Sequence, residues 1–132
     1  AFARGLAVVV ATNSLFPATA IEQRLAWAGV SVDEYPYALV TTYENMHAAK
    51  PQPAYYREIL TAIDCPPERA VMVGDDWKND IAPAAALGLY TYWIAPIDAE
   101  PPDATLLNGQ GSLDVLAELV AGGWLERLGR PA

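Results

Sequence analysis

The chain has 132 residues, 53% hydrophobic and 18% charged, the balance of a folded globular domain rather than a disordered chain. Sixteen acids against eight bases give a formal net charge of −8, a field that repels phosphate backbones and anionic lipid and so argues against nucleic-acid or membrane partners. No apolar run nears the roughly 20 residues of a membrane helix, no secretory leader opens the chain, and the lone Cys65 has no disulfide partner, which points to the cytoplasm.

From the N-terminus, GLAVVVA (5–11) is rich in β-branched residues without polar alternation, which predicts a strand buried on both faces. PATAIEQRLAWAG (17–29) predicts a helix, with Pro17 in its first turn and Gly29 at its C-terminal cap. YALVTT (37–42) reads as a second strand and PQPAYYREILTAI (51–63) as a second helix with its prolines in the first turn. AVMVG (70–74) reads as a third strand. DIAPAAALG (80–88) follows as a helix, with Asp80 as a possible N-cap and Gly88 as its end. LYTYWI (89–94) reads as a fourth strand. Most of 95–111 reads as a loop in which NGQG (108–111) is a turn, and SLDVLAELVAGG (112–123) as a closing amphipathic helix.

Strands alternating with helices over the whole length predict an α/β fold, with a parallel sheet between two layers of helices. Ligands of such sheets bind beyond the carboxyl ends of the strands, and polar residues gather there. Thr12, Asn13 and Ser14 follow the first strand, as helix caps or as an anion-binding corner beside free N–H groups. Lys50 precedes the second helix, as a solvated side chain or as a point charge for phosphate.

Asp75, Asp76 and Asp80 follow the third strand, behind Gly74, which is read as permitting a sharp turn. Acids crowded in a crevice raise one another's pKa unless a cation offsets them. Mg2+, which takes one or two protein carboxylates plus substrate phosphate oxygens, would do so. The plainer alternative is a cap at Asp80 with Asp75 and Asp76 as loop residues. Cys65 reads as a bystander thiol, Trp77 as packing or pocket wall, and His47 as a surface or substrate-side residue.

A hydroxyl, a lysine and an acid cluster, each at or beyond a strand end, together resemble the haloacid dehalogenase superfamily of hydrolases, and its phosphoglycolate-phosphatase-like members in particular. VVVATNS is similar to that family's second motif, which implies that Thr12 hydrogen-bonds the phosphoryl group and that Asn13 lies beside the substrate. AAKPQPAYY is similar to the third, which implies that Lys50 neutralises nucleophile and phosphate. VMVGDDWKNDIAPAAALG is similar to the fourth, which implies that Asp75 is a Mg2+ ligand. Asp80 is then a second acid that supports the metal site through water or holds Lys50. Asp76 stands where the family often has Ser or Thr, and the loop before Lys50 lacks a glycine common in relatives. The resemblance extends to the closing helix and so covers essentially the whole chain.

The family's first motif, a strand ending in Asp-x-Asp-x-Thr or Ser, carries the nucleophile and the general acid–base. Neither VDEY (32–35) nor IDAEPP (97–102) fits it. The resemblance implies a Rossmann-like three-layer α/β/α core whose central first-motif strand is lacking in this segment. Residues 1–132 are then expected to be the C-terminal portion of a hydrolase core, inactive alone, with the nucleophile strand and a cap domain upstream in the same parent chain. AFARGLAVVV accordingly reads as a helix end feeding a strand.

The implied function is a Mg2+-dependent phosphatase that acts on a small phosphorylated metabolite through an aspartyl-phosphate intermediate. A non-catalytic binding module and a haloacid dehalogenase-type hydrolase, which needs no metal, are the alternatives. A receiver domain carries its acids, Thr and Lys in another order, and no dinucleotide or P-loop glycine motif follows a strand.

Overall fold

The computed structural model describes residue 2, residues 5–13 and residues 15–129. Along them run β1 (Val9–Val10), α1 (Ala18–Trp27), β2 (Leu39–Val40), α2 (Pro53–Ala62), β3 (Val71–Gly74), α3 (Ala82–Ala86), β4 (Tyr90–Ile94), β5 (Gly109–Gly111), α4 (Leu113–Ala121) and α5 (Trp124–Leu128). Every strand pairing is parallel, which bears out the α/β, Rossmann-like class. The chain divides into two compact units, Ala1–Asp64 and Cys65–Ala132. Its strands form two sheets, one of β1 and β2 and one in the order β3-β4-β5.

In the first unit Val9 pairs with Leu39 and Val10 with Val40. β1 is shorter than its apolar run and only half-buried, not buried on both faces: among the described residues it pairs with β2 alone. Pro17 stands just before α1, whose first N–H, on Ala18, is accepted by the Glu44 carboxylate at 2.8 Å. The helix closes through Gly29 at φ +78°, with Val30 N–H on Leu25 O at 2.9 Å, a left-handed ending that glycine adopts freely. α2 starts at Pro53, where a missing N–H costs nothing. It buries Tyr55, Tyr56, Ile59 and Leu60 at helical spacing, and each such aliphatic burial is worth about 1.5–3 kcal/mol.

In the second unit Val71 to Gly74 pair with Tyr90 to Trp93, and Tyr92 to Ile94 pair with Gly109 to Gly111. The last three residues of NGQG are therefore a strand, not part of a turn. Its glycines admit β5 close to the fully buried Tyr92: a Cβ on Gly109 would lie 2.8 Å from the Tyr92 ring, and one on Gly111 2.9 Å from its hydroxyl. Gln110 ties the preceding loop down by donating to Pro96 O and Ala99 O at 2.8 and 2.7 Å. Ser112 caps α4 by accepting Val115 N–H. Gly123, at φ +85°, turns the chain into α5, which seats Trp124 edge-on to Tyr92 at 5.8 Å. Among the described residues no helix is long and apolar enough to cross a membrane.

Candidate active site

Thr12 and Asn13 lie just beyond β1, as the sequence implies; Ser14 lies outside the described residues. The Thr12 hydroxyl donates to Thr41 O at 3.1 Å, so to reach a phosphoryl oxygen as a donor it must leave that carbonyl. The Thr12 carbonyl accepts from the Thr41 hydroxyl at 2.7 Å and from the Tyr55 hydroxyl. Asn13 Oδ1 is buried and has no hydrogen-bond partner among the described residues. Thr12 and Asn13 line a cavity of about 320 Å³ together with Phe16, Ile21, Arg24 and Leu25. The Arg24 guanidinium lies over the Phe16 ring at 5.1 Å, a cation–π placement.

Lys50 is half-buried in the turn before α2, and its peptide bond to Pro51 is cis. The approach to it is anchored by Glu58 of α2. That carboxylate accepts His47 N–H at 3.0 and 3.1 Å and meets His47 Nδ1 at 2.7 Å. His47 is thus a surface residue whose ring is held on a carboxylate.

Thr41 and Tyr55 escape the motif reading. Their signal was present, though faint: a hydroxyl at the end of an apolar strand, and another on the apolar face of a helix, each need a partner once buried.

The acids sit in the second unit, and the three have different surroundings. Asp75, at the end of β3, is exposed, and its main-chain carbonyl accepts the Trp93 indole N–H at 3.1 Å. Asp76 is the cap. Its carboxylate accepts Asn79 N–H at 3.1 Å and the Asn79 side-chain amide at 2.8 Å. Asp80 is 5% exposed inside the wide π-type turn Trp77–Ile81 and accepts Asp76 N–H at 3.2 Å. The expected cap at Asp80 is corrected to Asp76, because the helical turn begins four residues earlier than its apolar pattern. The role read for Gly74 is corrected too: it is not among the glycines of positive φ, and a Cβ there would overlap the Asp80 side chain. Trp77 is packing, edge-on to Trp93 at 5.3 Å.

Backbone N–H groups thus donate to both Asp80 and Asp76. Among the described residues no three His, Cys, Asp or Glu side chains converge to hold a metal ion. Mg2+ asks for less, one or two carboxylates. The donor set suits it in that sense, with Asp75 exposed on a loop braced by Trp93 and Asp80.

Residues 47–112, half of the chain, match the family described as HAD-hydrolase-like. They include Lys50 and all three acids. Phosphoserine phosphatase of Thermus thermophilus is 30% identical over 103 residues, covering 77% of this chain and 39% of that protein. Ribulose-1,5-bisphosphate 5-phosphatase of Halopiger xanaduensis is 38% identical over 87 residues, covering 61% and 36%. The HAD-hydrolase YfnB of Bacillus subtilis, solved with magnesium bound, shares the fold with a TM-score of 0.69 at 21% identity, over 87% of this chain and 49% of that one. The chain thus spans well under two thirds of the length of these proteins. On the match over residues 47–112, it belongs to the haloacid dehalogenase-like family of hydrolases.

Proposed function

We propose that this chain is part of a phosphatase of the cytoplasm. It would hydrolyse a small phosphorylated metabolite with Mg2+, through an aspartyl-phosphate intermediate whose nucleophile lies on an upstream segment of the same parent chain. The observation that carries this reading is the Asp75 loop: an exposed carboxylate just beyond β3, with each of the two acids behind it accepting a backbone N–H. Two relatives that are phosphatases by name support it.

In this reading Asp75 and, behind it, Asp80 hold the metal loop, and bound Mg2+ offsets charge on the phosphoryl group. Lys50 supplies a point charge against nucleophile and phosphate. Thr12 and Asn13 orient the phosphoryl oxygens, in part through main-chain N–H groups already in place before the reaction.

The test is release of inorganic phosphate from a panel of small phosphomonoesters by the full-length protein, with Mg2+ and with chelator. Asp75→Asn is expected to abolish the Mg2+-dependent release, and near-normal turnover would refute the metal role. Halide release from 2-haloacids without metal, and no phosphate release, would select the dehalogenase alternative.

A further inference from the structure

The Thr12 carbonyl is gripped by two hydroxyls, Tyr55 Oη at 2.5 Å and Thr41 Oγ1 at 2.7 Å, and these lie 3.0 Å from each other. Both residues are 0% exposed. A third bond runs back from the Thr12 hydroxyl to Thr41 O, and Thr41 Oγ1 also lies 3.4 Å from Val10 O. At these distances the Tyr55 and Thr41 hydroxyl protons both go to the Thr12 carbonyl and the Thr12 hydroxyl proton goes to Thr41 O. A Phe and a Val would fill the same space but take both hydroxyl donors from the Thr12 carbonyl. Two buried hydroxyls directed at one carbonyl therefore call for an explanation.

Peptide geometry supplies one. In a planar trans peptide the C=O of one residue and the N–H of the next point in opposite directions. Pinning Thr12 O onto Tyr55 and Thr41 aims the Asn13 N–H away from those buried hydroxyls, and no hydrogen bond among the described residues uses that N–H. The same dipeptide lines the cavity at the end of β1.

We propose that Tyr55 and Thr41 are positioning residues: their hydroxyls fix the Thr12–Asn13 peptide so that the Asn13 N–H is held ready as a donor to a phosphoryl oxygen. The inference rests on the phosphatase reading of this site and adds that the aim is set from α2 and the end of β2, by residues that do not touch the substrate. A donor fixed in advance needs no reorganisation as charge develops, which is where such donors are most effective.

Tyr55→Phe and Thr41→Val each remove one hydroxyl with little change of shape, and Thr41→Ser restores it. Two readouts on the full-length protein separate positioning from mere packing. When inorganic phosphate is titrated into 15N-labelled protein, the Asn13 amide proton is expected to shift in the wild type, much less in Y55F and T41V, and again in T41S. In steady-state hydrolysis, Y55F and T41V are expected to lose about tenfold in kcat with little change in KM, and T41S to recover most of it. An Asn13 resonance that ignores phosphate in the wild type, or that responds equally in all four proteins, overturns the inference whatever the activity. A wild type without phosphatase activity whose Asn13 shift still tracks the hydroxyls would overturn the phosphatase reading and sustain the inference.

Discussion

Gly74 leaves open the space that the Asp80 side chain fills: a Cβ on Gly74 would lie 2.6 Å from both Cβ and Cγ of Asp80. One residue ends β3, and the other sits buried in the turn after it, with its carboxylate on Asp76 N–H. Together they set the path of residues 75–79. Gly74→Ala is expected to displace Asp80 at a cost of about 1–3 kcal/mol, the usual range for overpacking. Asp80→Ala leaves the Asp76 N–H without its acceptor and is expected to cost a similar amount, whereas Asp80→Asn keeps an acceptor and costs less. Urea unfolding midpoints rank the three variants. A G74A midpoint equal to wild type would sink the close-fit argument.

Asp75 and Asp76 are adjacent, yet their substitutions are expected to act oppositely. Asp76→Ala removes the cap that accepts Asn79 N–H and costs about 1 kcal/mol of stability, with Mg2+ affinity little changed. Asp75→Asn leaves stability alone and abolishes Mg2+ binding. The Trp77–Trp93 pair, whose Trp93 indole bonds Asp75 O, lets tryptophan emission follow a Mg2+ titration without any turnover. The reverse pattern would move the metal ligand one position along the chain.

Lys50 is held differently from either acid, on a loop tied to α2 through His47 and Glu58. Lys50→Ala is expected to lower phosphate release by orders of magnitude, as loss of charge stabilisation does at preorganised sites. Glu58→Ala, which frees the loop but keeps the lysine, is expected to lower it less. Phosphate release by full-length variants checks both, and equal losses would mean that the anchor contributes as much as the charge.

What the sequence made legible was local. Gly29 and Gly88 carry positive φ where the apolar periodicity predicts helix ends, because a helix terminus is decided within a few residues. β5 was illegible because NGQG has the composition of a turn, and only the approach of Gly109 and Gly111 to Tyr92 makes it a strand. The exchange of roles between Asp76 and Asp80 has the same origin. Three acids in six positions look alike, and which one caps and which one is buried follows from the room above Gly74. The Thr12, Thr41 and Tyr55 hydroxyls join residues 14 to 43 positions apart, a pairing that no window of sequence contains.

Glu44 acts as a cap at long range, accepting the first N–H of α1 from the turn that follows β2. Its hydrogen bond from Ala18 holds its carboxyl below the ordinary 4.5. A carboxyl with a lowered folded-state pKa adds stability that is present above its unfolded value and lost as pH falls through the folded one. Glu44→Gln is therefore expected to unfold slightly earlier than wild type at neutral pH and to match it in acid, where the wild-type carboxyl is protonated. Thermal midpoints across the acid range check this, and a gap that persists below the carboxylate range would point to packing instead.

Tyr92 governs the opposite end of the pH scale. It is fully buried, donates its hydroxyl to Ser112 O at 3.0 Å and carries Trp124 edge-on to its ring. Burial raises its phenol above the ordinary 10.0, since a phenolate in that place would lose its hydration. The folded state then holds the proton more tightly than the unfolded one. Its contribution is complete below pH 10.0 and falls away as pH climbs through the raised value. Tyr92→Phe is expected to cost about 1 kcal/mol at neutral pH for the lost hydrogen bond and to flatten the alkaline decline. Thermal midpoints from neutral to strongly alkaline pH separate the two effects: a decline equally steep in the variant would mean that Tyr92 is not its cause.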